Sequence, residues 1–376
     1  MAFSVKQNCL ELVTTSGGSR NLGLDGLRGI AILLVVASHV SATRFPLGGM
    51  VGVTLFFVLS GFLITSILIR ERETRGRIDL KAFYVRRVLR LMPALVLLLI
   101  FSPVVLWVLR DPLLSSSLIP ASLITVTYLG DFFRAAGDHL VVYGHTWSLA
   151  VEEQFYIVWP ILLIALAYLS KGKRKLFWWV VGAALILAAW RVFASGTMPF
   201  ERVYYSLDTN ALSLMAGAAL AIRPPSLKNA AAVVTAILGL VGLVALAALP
   251  LDPGGDLYFS ALMFGAPLAV IMSLVAIAGA SQTPKILGAR PLVFFGRLSY
   301  GLYLWHEMLL LSTPFGHQVE GSWRVVAAVA AVLLAFASWV FIESPAIKLK
   351  KRFERSGPAL PSHRAEPADL SAAGRA

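Results

Sequence analysis

The chain has 376 residues, 58% of them hydrophobic and only 14% charged, with a net charge of +13. That balance lies well outside ordinary soluble composition. The positive charge gathers beside apolar runs, as the positive-inside rule predicts, so it is not read as a nucleic-acid signal. The single cysteine, Cys9, excludes an internal disulfide and a cysteine-rich metal site. Several apolar runs reach the ~20 residues that cross a bilayer. The expectation is an all-α, polytopic transmembrane helical bundle with about ten spans.

Residues 1–20 read as a flexible cytoplasmic lead, with no removable signal peptide. The first span covers about 24–43 and the second about 50–69, where Gly52, Ser60 and Gly61 permit close helix contact. A strongly basic loop follows: Arg70, Arg72, Arg75, Arg77, Lys81, Arg86, Arg87 and Arg90 are interrupted by only three acids. Its inner part, Phe83 to Pro93, alternates apolar and basic residues. It reads as an interfacial helix leading into a third span at about 91–109, with Pro93 as the helix start. Residues 117–133 suit a re-entrant or surface helix, and 134–146 a loop holding Asp138, His139 and His145.

Later spans are expected at about 147–169, 177–194, 209–222, 230–249, 258–279, 291–312 and 323–342. Leu251 to Asp256 forms a strong turn signal. From Lys348 the tail is basic, then rich in Pro, Ala, Ser and Gly and disordered from about 356. The organisation is therefore a lead at 1–20, one integral-membrane domain at 21–345 and a cytoplasmic tail at 346–376. With both termini in the cytoplasm, the inner loops carry most of the lysine and arginine.

Ionisable groups inside a span are costly and mark functional sites by default. Arg28 and His39 stand eleven residues apart on the first span. That is roughly 16 Å of rise and about three turns, so both point from one face at different depths. The charge rule places Arg28 toward the cytoplasm and His39 toward the outside. It puts His145, Glu152 and Glu153 at the outer end too. A neutral imidazole at His39 can take a proton from a hydroxyl, and a carboxylate can orient it. The plainer reading is a packing histidine, and for the glutamates a paired or wet structural charge. The arginines either contact anionic lipids or grip an anionic cofactor by paired hydrogen bonds, as Arg86, Arg87 and Arg90 share one side of a turn. His306-Glu307 alone reads as an interior polar pair. No metal cluster or phosphate-binding glycine loop is present in the sequence.

Five stretches resemble the integral-membrane acyltransferase-3 family over about 21–345. They are Leu24-Asp-Gly-Leu-Arg-Gly-Ile-Ala with Ser38-His39, Phe56 to Leu63, Phe83 to Pro93, His145-Thr-Trp-Ser-Leu-Ala-Val-Glu-Glu-Gln-Phe-Tyr156, and Ser299 to His306. The resemblance implies transfer of an acetyl or longer acyl group from a coenzyme A thioester to a hydroxyl of a sugar or glycosylated acceptor. It implies no permanently bound cofactor and no metal, with acyl-CoA as co-substrate. The setting is a bacterial cytoplasmic membrane, with membrane lipids as further partners.

His39 becomes the expected proton acceptor, with Glu152 and Glu153 as carboxylates organising the catalytic site. Arg28, Arg86, Arg87 and Arg90 are expected to engage the donor. His145, Trp147, Ser148, Asp208, Asn210, Tyr300 and His306 are expected to bind substrate or organise the site. Two departures stand out. Asp208-Thr-Asn210 lacks the basic residue that many relatives carry there, and Glu343-Ser-Pro345 lacks one between acid and proline. The tail is too short for the extracytoplasmic hydrolase-like domain of some members, so the acceptor falls to the membrane domain or to another protein. The expected chemistry is direct attack, with His39 taking the hydroxyl proton. A transporter for a lipid-linked glycan or small metabolite is the rival, weakly disfavoured by the lack of an inverted repeat in the charge spacing.

Overall fold

The computed structural model describes residues 21–109, 112–138, 142–250, 266–279, 284–311 and 322–354. The expected N-terminal lead, Cys9, His139, the turn at 251–256, the first part of the span at 258–279 and the tail beyond 354 lie outside them. Regular structure among the described residues is helical: α1 Leu22–Val40, α2 Gly48–Arg75, α3 Leu80–Leu109, α4 Pro112–Val126, α5 Gly130–Ala135, α6 Trp147–Ser170, α7 Lys173–Thr197, α8 Phe200–Tyr205, α9 Leu207–Ile222, α10 Asn229–Ala248, α11 Ala266–Gly279, α12 Arg290–Leu311, α13 Ser322–Ser338 and α14 Ser344–Glu354. A short 3₁₀ turn, Gly144–Thr146, enters α6, and a π turn, Trp339–Glu343, joins α13 to α14.

Seven of these segments are long and apolar enough to cross a membrane. They are α1, α2, most of α3, α6 with its 3₁₀ turn, α7, α10, and α13 running into α14. Helix α9, at 16 residues, and the described 14 residues of α11 are shorter. Helix α12 has the length but not the apolarity, since it carries Arg297, His306 and Glu307 within its 22 residues. Large apolar side chains such as Ile186, Leu185 and Tyr168 stay exposed on outward faces, as a lipid-facing surface requires.

Helix α1 packs between α2 and α12, and α2 also packs along α9. Glycines make these approaches possible. A Cβ on Gly26 or Gly29 would collide with the backbone of Leu287 or Leu292, and one on Gly61 with the backbone of Leu214. Apolar burial gives little drive for association in lipid, so small residues that let backbones meet are the expected glue. Gly52 and Gly61 fill the role the sequence suggests: a Cβ at Gly52 would press on the carbonyl of Ala31.

Three expectations change. The inner part of the basic stretch, from Leu80 on, and the third span are one continuous helix, α3, with Pro93 and Pro103 inside it, while Arg70, Arg72 and Arg75 end α2. Pro93 is therefore not the helix start. An interior proline removes a backbone donor, and spanning helices tolerate this where neighbours take up the freed groups. Near that proline, though not at the Leu89 carbonyl it frees, the Tyr300 hydroxyl from α12 donates to the Leu91 carbonyl at 2.9 Å and ties α12 to α3. Residues 112–135 form two short helices, α4 and α5, and the polar stretch 195–207 contains α8.

Candidate active site

Two chambers lie one beyond the other along α1. The outer one, of about 300 Å³, is walled by Ser38 and His39 at the end of α1, by Arg134, His145 and Trp147, by Tyr204 and Tyr205 of α8, and by Tyr303, His306 and Glu307 of α12. His39 is held by its own helix: Nδ1 donates to the Val35 carbonyl at 2.8 Å. A carbonyl only accepts, so the proton of the neutral ring sits on Nδ1 and Nε2 keeps its lone pair. His306 repeats the arrangement, its Nδ1 donating to the Tyr303 carbonyl at 2.7 Å. Its ring stands edge-on to His39, with centroids 5.0 Å apart. His145 is 5.4 Å from His306, centroid to centroid, and its Nδ1 lies 2.6 Å from Glu307 Oε2. Three imidazoles and one carboxylate thus converge from α1, the 3₁₀ turn and α12.

Aromatic rings form the facing wall. Trp147 is 5.0 Å from both Tyr204 and Tyr205 by centroid. The Arg134 guanidinium lies 4.4 Å over the Tyr205 ring and donates to the hydroxyl of the same tyrosine. Asn210 fixes this wall from behind. Its Nδ2 donates to the carbonyls of Tyr204 and Ser206 at 2.7 and 2.8 Å.

The inner chamber is smaller, about 70 Å³, and is lined by Arg28, Arg87, Arg90, Glu152, Glu153, Ser60, Tyr156, Ser148, Tyr300 and Tyr303 among others. Arg87 lies 4.7 Å over the Tyr156 ring. The Tyr156 hydroxyl is 2.7 Å from Glu152 Oε2 and 2.8 Å from Ser60 Oγ. Glu152 is coupled electrostatically to Arg28 and Arg87, and Glu153 to Arg87 and Arg90. Glu343, from the π turn, is coupled to Arg90 and Arg28.

The expected site residues divide accordingly. His39, His145, Trp147 and His306 meet in the outer chamber; Arg28, Arg87, Arg90, Ser148 and Tyr300 line the inner one. Glu152 and Glu153 do not share the level of His39, as the charge rule suggests. They lie seven and eight residues past His145, about 10 Å further along the helix, and join the arginines. Arg86 turns away from the chamber and meets Glu71 at 3.2 Å. Asp208 also lies outside both chambers. It accepts two hydrogen bonds of 2.8 Å from Arg202 and one of 2.8 Å from Trp190. The Asp208 hydrogen bond pushes the Arg202 guanidinium above its ordinary pKa.

Sequence reasoning reads Glu307 only as half of an interior polar pair with His306 and gives Tyr303 and Arg134 no site role. The spacing holds a signal for Tyr303: three residues before His306, it lies on the same face of α12.

A bundle of membrane-length helices that holds a histidine-rich chamber beside an arginine-rich one has the side chains for proton transfer and for anion binding. The model of an acyltransferase domain matches residues 21–343, and the chain belongs to that acyltransferase-3 family. It is 34% identical over 344 residues to a peptidoglycan O-acetyltransferase of Listeria monocytogenes, covering 86% of this chain and 55% of the relative. It is 34% identical over 351 residues to a putative peptidoglycan O-acetyltransferase of Bacillus subtilis, covering 86% and 54%. A putative O-acetyltransferase of Staphylococcus aureus matches at 32% over 349 residues, covering 86% and 56%. The chain spans about half the length of these curated relatives. No solved structure matches it.

Proposed function

We propose that this protein transfers an acetyl or longer acyl group from acyl-CoA to a hydroxyl of a sugar, with a cell-wall glycan as the leading acceptor class. The carrying observation is the pair of chambers on α1, one rich in arginine and one in histidine. The arginine forks of Arg28, Arg87 and Arg90 suit the donor's anionic end and amide-rich arm. Glu152, Glu153 and Glu343 hold those guanidinium groups apart and oriented. In the outer chamber, Nε2 of His39 takes the proton of the attacking hydroxyl. His306 and the His145–Glu307 pair favour the imidazolium that results. The names of the relatives support a glycan acceptor, and the aromatic wall of Trp147, Tyr204 and Tyr205 suits the apolar face of a sugar ring.

In this reading the domain crosses a bacterial cytoplasmic membrane about ten times, with both termini inside. The three further spans are α9, α11 and α12, each shorter or more polar than the seven. Reporter fusions at Lys173 and after Glu354 should read cytoplasm, and one near Pro253 should read outside. An outside signal at the C-terminal fusion rejects the ten-span arrangement.

The activity test uses purified protein, acetyl-CoA and soluble peptidoglycan fragments, with mass spectrometry of the acceptor. Acetylated sugar with release of coenzyme A is expected. Movement of a glycan across vesicles without acylation points instead to a transporter.

A further inference from the structure

The donor and the proton acceptor belong to different chambers, so the reacting carbonyl has to sit where the chambers meet. Among the described residues, Tyr303 is the side chain that lines both. It is 5% exposed. Its ring lies 5.3 Å from His145 and 5.4 Å from His306 by centroid. Its hydroxyl donates to the His145 carbonyl at 2.8 Å and stands 2.6 Å from Ser148 Oγ. With its one proton given to a carbonyl, the Tyr303 oxygen is free to accept from Ser148 at 2.6 Å, a shorter contact than the 3.4 Å from Ser148 to the same His145 carbonyl; Ser148 lines the inner chamber.

We propose that the Tyr303 hydroxyl, buttressed by Ser148, is the donor that stabilises the oxyanion formed on the thioester carbonyl. The proposal rests on the acyl-CoA reading above. Geometry sets the division of labour. His39 Nδ1 is committed to Val35, so its Nε2 is left to take a proton and cannot supply one before transfer. The arginines lie on the far side of Tyr303. A rotation about the phenolic C–O bond swings the Tyr303 proton from the His145 carbonyl toward a carbonyl oxygen in the passage. The Ser148 hydrogen bond keeps the oxygen in place and makes the phenol a better donor through cooperative polarisation.

The step balances. The acceptor hydroxyl oxygen bonds the thioester carbon, its proton passes to His39 Nε2, and the carbonyl electron pair moves to the oxygen that Tyr303 holds. On collapse the C–S bond breaks, and the electron pair leaves on sulfur, which takes the proton from the imidazolium. Tyr303 ends as it began, so it is a catalytic residue that touches the reacting oxygen and not a covalent intermediate.

The experiment compares full-length wild type, Tyr303→Phe, Ser148→Ala and His39→Gln with acetyl-CoA and soluble peptidoglycan fragments. Removing one such donor typically lowers kcat by ~10²–10³. Tyr303→Phe should show that loss with the acetyl-CoA KM changed less than about threefold, and Ser148→Ala a loss of about tenfold. A second readout is the infrared carbonyl band of bound [1-¹³C]acetyl-CoA without acceptor. It should lie lower in wild type and Ser148→Ala than in Tyr303→Phe. If Tyr303→Phe does not fold, 3-fluorotyrosine at position 303 keeps the shape and strengthens the donor, and the band should drop further. A Tyr303→Phe enzyme turning over within about threefold of wild type, beside an inactive His39→Gln, overturns the proposal alone. So does a carbonyl band insensitive to Phe or fluorotyrosine at 303. Wild type that neither binds acetyl-CoA nor acylates overturns the underlying reading, and the proposal with it.

Discussion

The two chambers share helix α1 and one tyrosine, yet they handle charge in opposite ways. In the outer chamber the imidazoles are tied through Nδ1: His39 to the Val35 carbonyl at 2.8 Å, His306 to the Tyr303 carbonyl at 2.7 Å, and His145 within 2.6 Å of Glu307. Fixing one nitrogen fixes the tautomer and leaves the other nitrogen available. In the inner chamber, arginines and glutamates alternate: Arg28, Arg87 and Arg90 against Glu152 and Glu153, with Glu343 behind. Groups that can carry opposite sign are interleaved there. The first arrangement is suited to moving a proton and the second to gripping a polar ligand without trapping it. Apart from Tyr303 and Ser148 at the junction, the outer chamber should therefore govern the chemical step, and the inner one the affinity for the donor.

The largest expected effect tests the first half. His39→Gln keeps a hydrogen-bonding side chain of similar size but has no basic nitrogen. Turnover should fall by ~10²–10⁴ while acyl-CoA binding is retained. Near-normal turnover would leave His39 as a packing residue. Glu307→Gln comes next. It removes a charge-assisted contact worth ~1.5–3 kcal/mol, so kcat should fall roughly tenfold to a hundredfold, again with donor binding unchanged. A rise in donor KM without a fall in kcat would break the division between chambers.

The second half is tested by a pair of neighbouring arginines. Arg90→Ala removes a lining cation and should raise the acyl-CoA KM about tenfold or more. Arg86→Ala removes the shortest ion pair of Glu71, whose side chain is 8% exposed. It should lower the melting temperature, since the buried carboxylate then keeps only Arg75 at 3.6 Å and the Asp79 N–H at 3.3 Å, while donor KM stays within about twofold. Equal donor defects in well-folded Arg86→Ala and Arg90→Ala would return both arginines to one donor patch.

That contrast also shows what the sequence can and cannot display. Helix existence is legible, because apolar runs and small residues at crossings are local signals: Gly52 and Gly61 read as contact points before any fold is known. The pairing of Arg28 and His39 on one face follows from helical periodicity alone. Partner identity is not legible. Arg86 and Arg87 are adjacent and chemically identical, and a 100° turn of α3 sends one to Glu71 and the other over Tyr156. Charge counting puts the glutamates at 152 and 153 on the histidine level because it places only helix ends. Depth along α6 is set by packing, and two turns move them to the arginines. Helix α12 is visible as a helix from its pattern, but the meeting of Glu307 with His145 joins residues 162 positions apart, which no spacing rule reaches.

The smallest effect should come from behind the aromatic wall, at Asn210. The family resemblance creates the expectation of a basic residue near this place, and its absence from the sequence reads as a lost donor or acceptor contact. The structure gives Asn210 a different role. One amide group donates to the Tyr204 and Ser206 carbonyls at 2.7 and 2.8 Å, and the residue is 4% exposed. It thereby sets the position of Tyr204 without lining either chamber. Asn210→Ala should leave the two carbonyls without their amide donor and cost ~1–3 kcal/mol of stability. The acceptor KM should rise by about threefold, the equivalent of less than about 1 kcal/mol, with kcat and donor KM nearly unchanged. Asn210→Asp sharpens the test. A carboxylate matches the amide in size but faces the same carbonyls with acceptors only, so it should be less stable than Asn210→Ala. Thermal unfolding of the two variants, read beside acceptor kinetics, decides the matter. If Asn210→Asp is as stable as wild type and keeps its acceptor KM, the amide does not hold the wall. If Asn210→Ala changes donor KM instead, the boundary between the two chambers has been drawn in the wrong place.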